Sequence, residues 1–189
     1  GAISGSRRFL ADTTILTTGA WTSLIKFGNV SPPLAVKPIR GQMICYQPNV
    51  GMFNHVIYSA RGYVVPRADG RLLAGATVED AGFDEDVTEA GVESLRVIAM
   101  EIAPNLKHVR MVEKWAGLRP FVSDGFPVIG DVPGFENLFI ATGHYRNGIL
   151  LAPATAKTIA SNIVNGERSR YLDAFGMRRF ESSLNAVHQ

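Results

Sequence analysis

The amino-acid sequence predicts an α+β fold built on an antiparallel sheet, and two observations carry that prediction. Strand-like apolar runs come in groups and do not alternate one by one with helices, as repeated βαβ units would require. Helix signals are confined to two places, after Thr88 and in the stretch that follows Gly143.

In order along the chain, ADTTILTTGAW (11–21) reads as a short buried strand over Thr14–Thr18 running into a tight turn at Gly19. SPPLAVKP is a proline-rich break. IRGQMICY (39–46) and HVIYSARGYVVPR (55–67) are strand-like, and the second leads through Asp69-Gly70 into RLLAGAT, a hairpin signal. Thr88 opens a helix whose Val92, Leu95, Ala99 and Ile102 recur at helical spacing, with Glu89 in its first turn and Pro104 beyond its end. Strand-like segments follow at 108–120, 126–130 and 137–142, and a last helix is expected to begin near Pro153, since proline suits a first turn. There is no internal repeat and no low-complexity segment.

Composition narrows the function classes. Hydrophobic residues at 46% and charged residues at 19% argue against disorder. No apolar run reaches the roughly 18 residues of a membrane span. The net charge is only +2 and the basic residues are scattered, so neither a membrane nor a nucleic acid is an expected partner. Cys45 is the only cysteine, which excludes a disulfide within the chain and a thiolate zinc cluster. The opening GAISGSRRFL lacks the apolar core of a signal peptide and reads as a leftover of preparation or as a chain that starts in mid-fold. A reducing cytoplasm is the expected compartment. His55, His108 and His188 lack metal-ligand spacing, so no metal is expected, and the carboxylates of DAGFDEDVTE read as a solvated turn. Neither a G-x-S-x-G elbow nor a P-loop is present.

Three constellations could carry chemistry. GHYRNGILLAPATAKTIASNIV (143–164) sets two glycines, a histidine, an arginine and an asparagine before a helix. Unpaired N–H groups and the positive dipole end there make an anion seat, with Arg146 adding a permanent charge. The alternative is a glycine-punctuated strand-to-helix turn with an exposed arginine. In EKWAGLRP (113–120), period two puts Trp115, Gly117 and Arg119 on one face, where Arg119 either grips a carboxylate through two hydrogen bonds or reaches solvent. In RGYVVPRADGR (61–71), Arg61, Tyr63 and Val65 share a face, and Tyr63 either pairs with an anion or packs in the core.

Taken together, ILTTGAW, PIRGQM, GYVVPRADGRLLAGATVED, WAGLRPFVSDGFPVIG and GHYRNGILLAPAT, in that order and spacing, resemble the C-terminal half of the D-amino-acid oxidase family of flavoproteins. Within it they are most similar to the glycine oxidases of thiamine biosynthesis. The resemblance spans residues 11–166. It implies that Arg119 binds the substrate carboxylate and that Tyr63 adds a second hydrogen bond to it. It also implies that Arg146, Asn147, Gly148, Ile149 and Leu150 lie along the flavin of a non-covalently bound FAD, and that Gly19, Ala20 and Trp21 lie close to it. No catalytic base is implied. The implied reaction oxidises a small amino acid or amine to an imine by hydride transfer to flavin, with oxygen reduced to hydrogen peroxide.

One departure stands out: the G-x-G-x-x-G turn that holds the FAD pyrophosphate in this family is absent from the sequence. The expected fold is therefore an antiparallel-sheet substrate domain over 33–123 and the C-terminal part of an FAD-binding Rossmann-like domain over 11–32 and 124–166. A C-terminal tail covers 167–189. The dinucleotide-binding half is expected on a missing N-terminal segment, the chain being a piece of a longer protein or one part of a split one. Alone it is expected to be inactive, while the intact parent is expected to be a homo-oligomer. Alternatives are an oxidase or dehydrogenase of the same fold for sarcosine, proline or larger D-amino acids, or a non-catalytic binding module.

Overall fold

The computed structural model describes residues 1–27, 34–48 and 53–180. In chain order these form β1 (Ala2–Ser4), β2 (Arg7–Phe9), β3 (Thr14–Leu16), β4 (Lys37–Tyr46), β5 (Ile57–Tyr58), β6 (Tyr63–Pro66), β7 (Leu72–Gly75), α1 (Glu89–Ile102), β8 (Met111–Phe121), β9 (Val128–Asp131), β10 (Leu138–Thr142), α2 (Gly148–Asn165) and α3 (Arg170–Phe175). They divide into two compact units, Gly1–Pro38 with Arg119–Gln189, and Ile39–Leu118. Part of the break at 31–38, and His188, lie outside the described residues.

Residues 39–118 carry a five-stranded sheet in the order β5-β6-β7-β4-β8, covered by α1. β6 and β7 form the hairpin expected from Asp69-Gly70: Val64 lies opposite Ala74, Pro66 opposite Leu72, and Gly70 takes a φ of +85° that other residues avoid. Strand alternation puts Ile44, Tyr46, Val64, Leu72 and Ala74 on one face, where they meet Val92, Leu95 and Ala99 of α1. Full burial of one leucine such as Leu95 contributes about 1.5–3 kcal/mol.

The start of α1 is held by polar groups from far along the chain. Thr88 is extended, and its Oγ1 accepts the Gly91 N–H at 3.1 Å as an N-cap. Behind it Gln42 is fully buried, with its Oε1 accepting the Thr88 N–H at 2.9 Å and its Nε2 donating to Thr88 Oγ1 at 3.0 Å and to Glu79 Oε1 at 2.8 Å. Arg40 donates to the other Glu79 oxygen through Nε and Nη2 at 3.1 and 2.7 Å, and to Asp84 through Nη1 at 2.7 Å. The expected solvated turn at 80–89 is corrected in this respect, because Asp84 reaches back to a buried arginine.

A second correction concerns 55–67, which is not one strand. Ser59 and Gly62 close a turn between β5 and β6, with the Ser59 N–H donating to the Gly62 carbonyl at 2.8 Å. A Cβ at Gly62 would meet the Gly75 carbonyl oxygen at 2.7 Å and Ile98 Cγ2 at 2.8 Å, so the chain can turn there only as glycine. Arg61 accordingly leaves the face it was expected to share with Tyr63 and Val65, and pairs with Glu101 on the surface.

The other unit carries a three-stranded sheet, β3-β10-β9, in which β3 runs parallel and β9 antiparallel to β10. Both faces of this sheet are covered. Val128 and Ile140 pack with Val122, Leu34 and Met177 on one side, while Ile129 packs with Ile159 of α2 and Leu172 of α3 on the other. The stretch from 167, expected as a tail, thus contributes two core side chains. β1 and β2 form a separate exposed hairpin. The helix expected from Pro153 as the last is α2, which begins five residues earlier at Gly148 with Pro153 inside it, and α3 follows it. Proline here removes only the donor for the Ile149 carbonyl, at a turn open to water, so the early position is tolerated.

Two outcomes are expected. An exposed helix normally gains about 1 kcal/mol when glycine becomes alanine. At Gly91 the new Cβ would lie 2.2 Å from Gln42 Nε2, so Gly91→Ala is expected instead to cost about 1–3 kcal/mol in urea denaturation. For Glu79, partial burial pushes the carboxyl upward, but hydrogen bonds from Thr77, Arg40 and Gln42 outweigh it and hold the group below its usual range. The unfolded chain therefore takes up the proton first, and this stabilisation is complete above about pH 4.3 and lost as pH falls through the lowered folded value. Glu79→Gln is expected to flatten the fall in urea midpoint on acidification, and an unchanged slope would count against this role.

Candidate functional site

Two parallel strands, β3 and β10, end side by side in glycine turns, at Gly19 and Gly143. Loops at the carboxyl ends of parallel strands are where ligands gather in such sheets. Threonines tie the turns together. The Gly19 carbonyl accepts from Thr22 Oγ1 at 2.7 Å and from Thr142 Oγ1 at 3.1 Å, and Thr18 Oγ1 lies 3.1 Å from Thr22 Oγ1. Gly19, at φ +54°, opens a 3-10 turn Gly19–Leu24 that buries Ala20 and leaves Trp21 exposed. Gly143 is required twice over, by a φ of +74° and by Val122 Cγ2, which would sit 2.6 Å from an added Cβ.

From Gly143 the chain passes through the 3-10 turn Tyr145–Asn147 into α2. The Asn147 side chain does not cap the helix, and no acidic residue stands in its first turn. Arg146 and Asn147 are exposed, while Ile149 and Leu150 are 97% and 77% exposed. The helix start therefore combines backbone donors, a positive dipole end and bare apolar surface. This is the second reading left open at 143–150, a glycine turn with an exposed arginine, and it is equally the form an anion seat takes.

Behind the turn His144 is half-buried, with Nε2 3.0 Å from Thr155 Oγ1. The pair walls two clefts, one of about 370 Å³ with Ile15, Thr17 and Ala152, the other of about 410 Å³ with Phe126, Leu151 and Phe175. Burial holds the imidazole below its ordinary pKa. Tyr145 has a φ of +49° and sets its ring at 70° to that of Phe121, with 5.3 Å between centroids. Phe121 follows Arg119 by two residues on β8, so the two share a strand face, and Arg119 is half-buried. One unit thus holds Gly19, Ala20, Trp21, Arg119 and Arg146–Leu150.

Tyr63 belongs to the other unit. It is half-buried at the start of β6, stacked on Tyr58 at 5.0 Å, and its hydroxyl lies 3.6 Å from Met43 Sδ. Among the described residues no cluster of His, Cys, Asp or Glu suits a metal, and no helix is long and apolar enough to cross a membrane. Missed at the level of sequence were Thr22, Thr142, Thr155 and the Tyr145 anchor, and the histidine noted in the stretch, His144, was given no partner. The contacts that give them meaning span 11 residues for Thr155 with His144 and 120 to 123 for Thr142 with Thr22 and Gly19, or, for Tyr145, lie in a backbone angle that the residue type does not announce.

Gly19 and Gly148 leave room beside the backbone. A Cβ at Gly19 would meet nothing within 4 Å, and one at Gly148 only His144 Cβ at 3.7 Å. Both glycines border open space that a planar ligand can approach.

The sequence pattern of the family described as FAD dependent oxidoreductase (DAO) matches residues 2–162. Glycine oxidase of Pseudomonas aeruginosa is 39% identical over 164 residues, which are 85% of this chain and 44% of that protein. The bifunctional protein ThiO/ThiG of Trichormus variabilis is 39% identical over 182 residues, 94% of this chain and 27% of that one. The crystal structure of glycine oxidase from Geobacillus kaustophilus superposes with a TM-score of 0.82 at 32% identity, covering 89% of this chain and 46% of that one. The chain spans less than half the length of the curated relatives it matches.

His144 gives a direct check of the site's interior. Its neutral form is favoured by burial, so its stabilising effect is present above about pH 6.5 and lost as pH falls through the lowered folded value. An NMR titration of the ring protons is expected to show a midpoint below that of an exposed histidine. A midpoint at or above about 6.5 would remove the buried pair from the description.

Proposed function

The chain belongs to the FAD-dependent oxidoreductase family, and from that premise we propose that it is the part of a glycine-oxidase-type enzyme that holds the flavin ring and the substrate. The observation that carries the reading is the start of α2, with no side-chain cap, with glycine at its first position and with apolar Ile149 and Leu150 in the open. Such a start stabilises negative charge spread over a planar group while its apolar side chains cover the ring. Names of relatives support the substrate class, since several are glycine oxidases.

In this reading Arg146–Leu150 and Gly19–Trp21 hold the cofactor, non-covalently. FAD, when bound, supplies the two-electron acceptor that takes the hydride of an amino acid and passes electrons to oxygen, giving an imine and hydrogen peroxide. Arg119 grips the substrate carboxylate through two parallel hydrogen bonds and so orients the α-carbon. Tyr63 is a further substrate contact on the same grounds. No side chain is assigned as a base, because the carboxylate grip and the neutral amine suffice to present the hydrogen. Residues 11–32 and 124–166 form part of the cofactor domain and 33–123 the substrate domain. The pyrophosphate turn belongs to the part of such an enzyme that this chain does not span, and the chain alone is inactive. The intact parent works in the cytoplasm as a homo-oligomer within thiamine biosynthesis.

The test is to purify the chain alone and together with an N-terminal segment carrying a dinucleotide-binding turn, then to measure flavin absorbance after desalting and glycine-dependent peroxide. Retained flavin and peroxide formation are expected only for the pair. Arg119→Ala in that pair is expected to raise the Michaelis constant for glycine about 100-fold, the loss of two hydrogen bonds to a charged group at about 1.5 kcal/mol each, with flavin retention unchanged. Flavin absent from both preparations, or a Michaelis constant unmoved by Arg119→Ala, would sink the assignment.

A further inference from the structure

The turn that opens α2 is fastened at two consecutive residues, Phe121 at the end of β8 and Val122 just beyond it. Gly143 lies so close to Val122 that an added Cβ would fall 2.6 Å from Val122 Cγ2. Just before Val122, Phe121 receives the Tyr145 ring edge-on, with 5.3 Å between centroids. On the opposite side, His144 Nε2 at 3.0 Å from Thr155 Oγ1 ties the turn back to its own helix. Tyr145 adopts a φ of +49°, which an L residue with a large side chain takes up only where surrounding contacts compensate. An aromatic ring seated on Phe121 is such a contact. Glycine would meet the backbone requirement without strain, so the presence of tyrosine there points to a use for the ring.

Arg119 lies two residues before Phe121 on the same strand face, and Arg146–Leu150 follow Tyr145 directly. We propose that Tyr145 is a positioning residue that couples the two: its ring on Phe121 locks the Arg119 end of β8 to the start of α2, so that occupation of Arg119 by a carboxylate is felt at the helix start. The inference rests on the reading of Arg119 as the carboxylate site. Coupling of this kind is reciprocal, so whatever settles on the helix start also changes the affinity of Arg119 for its anion. Gly143 supplies close approach but no handle, since glycine has no side chain to move. Tyr145 supplies the handle.

Acetate serves as the probe, titrated into the full chain while the Arg119 side-chain N–H and the backbone amides of Gly148–Leu150 are followed by NMR. In the unaltered chain both sets of resonances are expected to move along one saturation curve. In Tyr145→Ala and Tyr145→Gly the Arg119 shifts persist and the helix-start shifts vanish, and in Tyr145→Phe, which keeps the ring, both return. Phe121→Ala behaves as Tyr145→Ala does, and the double variant adds nothing further. Tyr145→Gly relieves the backbone strain, so a loss of coupling there is not a folding effect. Helix-start shifts that survive in Arg119→Ala mean that acetate binds α2 directly and overturn the coupling. Shifts that survive in Tyr145→Ala and Phe121→Ala overturn it too, while leaving the carboxylate site intact. Absence of any acetate effect at Arg119 overturns the functional reading and the coupling with it.

Discussion

The candidate site depends on one close approach, that of Val122 to the backbone of Gly143. With 2.6 Å between Val122 Cγ2 and the place a Cβ would occupy, no larger residue fits without moving the segment after β8 or the turn. The space taken by the valine is space the hydrophobic core needs: Val122 is 1% exposed and packs with Val128 and Ile140. Core packing and turn geometry are therefore one constraint. Because β10 ends at Thr142, the strand leaves the core and its next residue must bend, and the bend is what aims α2. The same end of β10 reaches across to Gly19 through the Thr142 hydroxyl, so the second glycine turn inherits its position from the first.

Residues 39–118 solve a different problem. Their helix covers a sheet whose buried face includes a glutamine, and a buried amide is costly unless each of its polar positions is used. Gln42 uses its oxygen once and its nitrogen twice, on Thr88 and Glu79, and so turns a liability into the anchor of an N-cap. Arg40 stands two residues away on the same strand face and is only 6% exposed, which its three carboxylate contacts make tolerable. The result fixes the angle at which α1 begins, and with it the register of Val92, Leu95 and Ala99 on the sheet. An apolar pair at 40 and 42 would bury as well but would leave the Thr88 N–H without its partner.

What could be read from the sequence was what is encoded locally. Thr88 and Glu89 announce α1, and Asp69-Gly70 announces the turn between β6 and β7, because a cap and a tight turn are settled by residues within a few positions. The break at Ser59–Gly62 was not legible, since Gly62 is demanded by Gly75 and Ile98, which come from β7 and from α1. Proline favours first turns, which points to Pro153 as the start of α2, but the helix can reach back to Gly148 once the 3-10 turn before it is pinned by Phe121 and Thr155. The glycines and Arg146 of the site stood out in the sequence. The threonines and Tyr145 did not, because hydroxyls and rings acquire meaning only from their partners.

A helix start has an advantage over a side chain as the group that meets spreading negative charge. Its partial charge, equivalent to roughly half a unit, comes from aligned peptides and cannot titrate away, so it is the same at every pH at which the helix stands. It also has no rotamers to order, whereas an arginine must give up chain entropy each time it settles on a ligand. The sequence around α2 is consistent with that economy: Arg146 stays exposed, no acidic residue stands in the first turn to compete for the donors, and burial favours the neutral form of His144. In the proposed reading the permanent cation that grips a compact carboxylate stands instead on a strand, at Arg119 of β8, and its planar fork limits what is lost for each hydrogen bond formed. On that reading diffuse charge falls to the dipole and concentrated charge to the guanidinium, and the Phe121–Tyr145 contact lies between the two.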